Sequence, residues 1–264
     1  MSTASATLAG PPTSDHCVSG VKHSGNPAGK QITIANVPTY ISEPKDVQGG
    51  VKKVILFYAD VWGPFHINNQ LLQDYFAENG FIVVGIDYFL GDPIGLHTDE
   101  AGFNRDAWFS KSRAQAERLI PGWLEAVRQQ YGTSAKYSAV GYCFGGPYAM
   151  DIAASDFAVA AAFAHPAALT EDHFRKVKKP LFLSCAEDDH TFPLASRRRG
   201  EDILVEIKAN YTIQVFSGVS HGFAARGDPQ VADIRWAKEE SARGIITWFK
   251  RFSGNGDSTR SAML

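Results

Sequence analysis

Apolar and polar positions follow two rhythms along this chain. KQITIANVPTYISEP (residues 30–44) alternates residue by residue and holds a proline, which predicts an edge hairpin. KKVILFYAD (52–60) and FIVVGIDYF (81–89) are continuous apolar runs of the length of buried strands. Between them, NNQLLQDYFAENG repeats with helical period. Leu71, Leu72, Tyr75 and Phe76 share a face, and Gly80 closes the element. Residues 91–103 read as loop. Helical periodicity returns at Arg105, and Pro121 predicts a division into two helices, because proline is tolerated in a first turn and disfavoured in an interior. Ile120, Trp123, Leu124, Val127 and Tyr131 make one face of the second.

The same alternation continues to the C-terminal side. KYSAVGY is a strand and GGPYAMDIAAS a helix. VAAAFAH and KPLFLSCAE are strands, SRRRGEDILVEIKA a helix and YTIQVFS the last strand. A long helix over 228–252 turns Ile245, Trp248, Phe249 and Phe252 inward. Strands alternating with helices predict a mostly parallel sheet covered on both faces, in the α/β class. The expected layout is a flexible tail over residues 1–29, one domain over 30–253 and a loose end over 254–264. In such sheets the site lies outside the carboxyl ends of the strands.

Composition narrows the function without choosing it. The 264 residues are 44% hydrophobic, and 26 basic against 28 acidic residues leave a net charge of −2. That balance speaks against partners recognised by charge, so neither a nucleic acid nor a membrane surface is expected. Three cysteines (Cys17, Cys143 and Cys185) make no disulfide framework and fit a reducing compartment such as the cytoplasm. Cys17 and His23 stand close in CVSGVKHSG but lack further ligands in the sequence, so no metal is expected. AML, the last three residues of this sequence, only faintly resembles a peroxisomal address.

Chemistry gathers at three strand ends. GYCFGG (141–146) sets Cys143 between glycines in a strand-to-helix turn, where the helix dipole favours a thiolate and the Phe144 N–H would face an oxyanion. EDDHTFP follows the next strand but one with candidate triad acids, Asp188 and Asp189 being equivalent on residue type alone. GVSHGFAARG follows the last strand and offers His221 as general base. Each has a plainer reading: a small buried cysteine, a helix cap and a surface histidine. Their order along the chain, nucleophile then acid then histidine, is that of an α/β-hydrolase.

With these motifs the chain resembles the dienelactone hydrolase family across residues 30–253. The resemblance implies an α/β-hydrolase fold and a Cys–His–Asp triad of Cys143, His221 and Asp189, the last because DHTFP matches the family's D-H-x-x-P. It implies that Asp60, where the family commonly has Glu, contacts the resting thiol, and that the backbone N–H groups of Val61 and Phe144 form the oxyanion hole. It also points to Arg226 as an arginine for a substrate carboxylate, although HGFAARG carries one alanine more than the family pattern. Trp62, beside Asp60, and Tyr142, beside the nucleophile, are expected at the substrate pocket. Tyr88 opens an aromatic stretch, 88–108, that suits either core or an apolar pocket under a lid.

The expected activity is therefore cofactor-free hydrolysis of a lactone or small ester through a thioester, by a monomer or homodimer. Two other readings use the same residues. An acyl-enzyme resolved by an internal hydroxyl or another acceptor would be a cyclase or acyltransferase. A protein without turnover would be a thiol sensor or binder, against which stands the lack of a second cysteine near Cys143 in the sequence.

Overall fold

The hairpin forms where alternation predicts it. β1 (Lys30–Ile34) and β2 (Val37–Ser42) pair antiparallel across Ala35 and Asn36, whose φ values of 49° and 62° suit a two-residue primed turn. The computed structural model describes residues 5–45 and 50–254. The end expected to be loose therefore lies, from residue 255 on, outside the described residues.

Eight strands form one sheet in the order β1-β2-β4-β3-β5-β6-β7-β8. β2 pairs antiparallel with β4 (Ile82–Ile86), and from there every pairing is parallel, through β3 (Lys53–Tyr58), β5 (Lys136–Tyr142), β6 (Ala160–Ala164), β7 (Leu181–Asp188) and β8 (Tyr211–Ser220). The inner strands read as unbroken apolar runs because both faces are covered. In β3, Val54, Leu56 and Tyr58 face one core while Ile55 and Phe57 face the other. The first core also receives α3 (Arg105–Tyr131), α4 (Gly146–Ala153), α5 (Glu171–Arg175) and α6 (Leu194–Glu206). The second receives α2 (Ile67–Glu78), α7 (Phe223–Arg226) and α8 (Ala232–Ser253). Ile245, Trp248 and Phe249 of α8 are buried as expected, and Phe252 packs partly buried beside them.

Two expectations differ from what the structure shows. α3 does not divide: it runs 27 residues with Pro121 inside it. Pro121 is exposed, as is Glu117 four residues before it, so water can take the hydrogen bond that proline cannot donate. The opposite face buries Ile120, Trp123 and Val127, each contributing on the order of 1.5–3 kcal/mol. The Trp123 indole N–H also donates to the Thr39 hydroxyl at 2.9 Å.

The described part of the segment read as a flexible tail, residues 5–29, lies against the body as a strap and carries α1 (Asp15–Val18). Gly10 N–H donates to the Thr191 carbonyl (2.8 Å) and Val21 N–H to the Arg226 carbonyl (3.1 Å). Further on, His23 N–H donates to Asn68 Oδ1 at 2.9 Å. Leu8, Ala9 and Cys17 are buried. The strap thus crosses loops that follow β7 and β8, at the carboxyl end of the sheet. Isolated apolar residues in a polar stretch carry no periodicity, so their burial could not be read from the chain.

Pro121→Ala should raise the free energy of urea unfolding by about 1–2 kcal/mol, since it restores a helix hydrogen bond while losing some rigidity of the unfolded chain. A destabilised variant would mean that the helix needs the break.

Candidate active site

β5 ends at Tyr142, and one 3₁₀ turn, Cys143–Gly145, carries the chain into α4. The reversal gives Cys143 a φ of +48°, a left-handed conformation that costs a non-glycine residue roughly 1–3 kcal/mol. Larger flanking residues would not fit. A Cβ on Gly141 would lie 2.3 Å from the Gly145 carbonyl oxygen, and one on Gly145 would lie 2.1 Å from the Tyr58 carbonyl oxygen at the end of β3. The sulfur therefore stands at the N-terminus of α4, with the Phe144 N–H directed at it.

His221 follows β8 directly, and Gly222 (φ +92°) turns the chain away into α7. Its Nε2 lies 3.1 Å from Cys143 Sγ, and its Nδ1 lies 2.9 Å from Asp189 Oδ1. That same oxygen accepts from the Thr191 N–H (2.9 Å), the Thr191 hydroxyl (2.7 Å) and the Phe192 N–H (3.1 Å). Asp189 is buried, whereas Asp188 is exposed at the strand end, which separates two acids that residue type leaves equivalent. Burial resists charging the His221 ring, but the Asp189 carboxylate outweighs it and raises the pKa to about 9. Burial likewise would raise Asp189, but the His221 charge and hydrogen bonds hold it well below the usual carboxylate range.

The comparison with known proteins follows this geometry. The family model described as "Dienelactone hydrolase family" matches residues 37–253. The chain belongs to the dienelactone hydrolase family. It is 33% identical over 239 residues to "Dienlactone hydrolase 1" of Gibberella moniliformis, covering 88% of this chain and 91% of that protein. It is 32% identical over 254 residues to "Hydrolase tropI" of Talaromyces stipitatus, covering 93% and 98%. The fold alone is matched by the structure of a putative dienelactone hydrolase from Klebsiella pneumoniae. That match has a TM-score of 0.71 and 17% identity, over 85% of this chain and 98% of that one. This dienelactone hydrolase family member is thus a hydrolase of the carboxylic ester and lactone class. No helix among its described residues is long and apolar enough to cross a membrane.

The hydrolase holds a neighbour of the thiol that sequence reasoning missed. Cys17 of α1 does not meet His23, whose Nε2 faces the Gly227 carbonyl at 2.9 Å. Cys17 Sγ, Cys143 Sγ and a ring nitrogen of His221 instead lie within 4.8 Å of one another. His190 Nε2 is 3.4 Å from Cys17 Sγ and 2.6 Å from Ser14 Oγ. One atom each from Asp189, His190 and His221 gathers equally closely, so both groups offer donors of a kind that a borderline divalent ion such as zinc accepts. The hydrogen bond from Cys143 pulls the Cys17 pKa down, while burial and the Cys17 charge push that of Cys143 up. Behind His221 lies His165, its ring centre 5.0 Å away, which burial drives down to about 3 and so keeps neutral. No local motif marks Cys17 or His165, and DHTFP, which holds His190, does not tell that its ring meets Cys17; the fold alone assembles them.

Other expected site residues are placed differently. Asp60 does not hydrogen-bond the thiol among the described residues. Its Oδ1 accepts from the Trp62 N–H (3.1 Å) and Asn69 Nδ2 (2.9 Å), and its Oδ2 pairs with Arg226. A short side chain drawn to a buried guanidinium has no reach left for the sulfur. Arg226 also donates from Nε to the Ser19 carbonyl at 2.9 Å, while its buried Nη2 has no partner among the described residues. Tyr88, expected at the pocket, is fully buried against Phe89, Phe144 and Tyr148, and its hydroxyl donates to the Ala59 carbonyl. Tyr142 is likewise core, against Phe57 and His165. Both aromatics extend the apolar strand pattern inward. Trp62 is half-buried with its ring on His66. Val61 follows Asp60 and is buried.

The raised His221 pKa fixes a pH window for stability. Its contribution is fully present below the unfolded value of about 6.5 and is lost as pH rises through about 9. The difference in unfolding free energy between the wild type and His221→Gln should therefore shrink across that interval, measured by urea titration at successive pH values. A difference independent of pH would contradict the Asp189–His221 pairing.

Proposed function

We propose that this hydrolase opens a lactone or small ester by covalent catalysis, with Cys143 as nucleophile, His221 as general base and Asp189 as the acid that orients the ring. The observation carrying this reading is the 3.1 Å approach of His221 Nε2 to Cys143 Sγ, with Nδ1 held 2.9 Å from Asp189 Oδ1. Cys143 Sγ attacks the carbonyl carbon as His221 Nε2, 3.1 Å away, takes the thiol proton. The oxyanion is held by the N–H groups of Phe144 and Val61. The first is directed toward the sulfur, and the second follows the β3 end against which the turn packs. Collapse breaks the C–O bond, His221 protonates the leaving alkoxide, and a thioester remains. Water, deprotonated by His221, attacks the thioester and releases the acid with the thiol regenerated.

The charge on Arg226 is matched by Asp60, which favours a lactone or ester without a free carboxylate over an acidic dienelactone. The reaction needs no cofactor. The three cysteines are free, in keeping with a reducing compartment such as the cytoplasm.

On a panel of lactones, thioesters and aryl esters, Cys143→Ala should lower kcat/KM by about a thousandfold or more. Cys185→Ala should stay within about twofold, because that thiol is buried within β7 and, unlike Cys143, hydrogen-bonds no histidine among the described residues. Comparable residual rates in the two variants would overturn the proposal.

A further inference from the structure

We propose that Cys17 is a resolving cysteine: under peroxide it forms a reversible disulfide with Cys143, which closes the site and spares Cys143 from irreversible oxidation. The effect on activity rests on the function proposed above; the bond itself does not.

Two thiols that lie 126 positions apart in the sequence are brought together by the strap. Cys17 and Cys143 are both fully buried, and their sulfurs lie within 4.8 Å of each other. A disulfide is about 2.05 Å long, so bonding requires a shift of at most about 3 Å by one side. That side is the strap. α1 is four residues long and is held from its flanks, by Gly10 on Thr191 and by Val21 and Ser19 on Arg226. These anchors keep Cys17 over the nucleophile while leaving it on a short element. Cys143, in contrast, is fixed between β5 and α4.

The surroundings also favour the chemistry. An imidazole stands beside each sulfur, His221 Nε2 at 3.1 Å from Cys143 Sγ and His190 Nε2 at 3.4 Å from Cys17 Sγ, so a thiol proton has an acceptor, and the thiolate is the form that peroxide oxidises. One thiol passes its proton to the neighbouring imidazole, its thiolate sulfur attacks a peroxide oxygen, the O–O bond breaks, and the imidazolium returns the proton to the departing hydroxide, giving a sulfenic acid and one water. The second sulfur attacks the sulfenic sulfur, the S–O bond breaks, and the hydroxyl leaves as water with the thiol proton. Two thiols and one hydrogen peroxide thus give one disulfide and two waters. A thiol such as glutathione reverses the bond by exchange. The objection that no second cysteine stands near Cys143 in sequence loses its force, since the resolving thiol is near in space.

The test treats the full chain with a small excess of hydrogen peroxide, alkylates free thiols, and maps peptides without reduction. The wild type should yield a Cys17–Cys143 linked peptide, lose activity about tenfold or more, and return to within about twofold after dithiothreitol. Cys17→Ser should give no linked peptide, accumulate Cys143 sulfinic acid, and fail to recover. Cys185→Ser should behave as the wild type. Absence of the linked peptide in oxidised wild type, or equal recovery by Cys17→Ser, would overturn the proposal. The linked peptide is read by mass, so it decides the matter even where no ester or lactone is turned over.

Discussion

One hydrogen-bonded line, from the Asp189 carboxylate through the His221 ring to the Cys143 sulfur, constrains the carboxyl end of this sheet. Its three members come from the ends of β7, β8 and β5, so it exists only while those strands keep their register. The line is buried at every member, and burial is what gives it force. In water an imidazole and a carboxylate attract weakly; here Asp189 overcomes the desolvation of His221 and lifts its pKa to about 9. The left-handed backbone at Cys143 and the absent side chains at Gly141 and Gly145 are the local costs of bringing the sulfur into that line.

The strap belongs to the same arrangement. Its N–H groups find partners on the loops after β7 and β8, the loops that carry Asp189 and His221. Leu8, Ala9 and Cys17 are buried beneath it, and Arg226 is bound to Ser19 on one side and Asp60 on the other. The residues covering the sulfur thus include a segment with few apolar anchors, set among strands with many. Local stability of this kind is low compared with the core, which is where a protein places parts that move.

Much of this architecture was legible in the chain because periodicity reports burial. The alternation in KQITIANVPTYIS gave the hairpin, the unbroken apolar runs gave the parallel strands, and the strand-end rule led to Cys143, His221 and the pair Asp188 and Asp189, of which only the family resemblance chose Asp189. Pro121 misled because its position on the helix surface, which decides its cost, depends on which face packs. Tyr142 was expected at a pocket because it neighbours the nucleophile, and Tyr88 because it opens an aromatic stretch that suits core or pocket, but both are buried in the core, Tyr142 at the end of β5 and Tyr88 in the turn after β4. Asp60 was assigned to the thiol, yet Arg226 and Asn69 take its oxygens, a contest between distant residues that no local motif records. Cys17 illustrates the same limit: its partners come from residues 143, 190 and 221.

The central claim is that Cys143, and not its buried neighbour, makes the covalent bond to substrate. Incubation with a reactive aryl ester, quenching in acid during the first turnovers, and peptide mass mapping would test this most directly. The account predicts an acyl group on the peptide carrying Cys143, disappearing as the ester is exhausted. An acyl group on Cys17 instead, or turnover without any acylated cysteine, would contradict it.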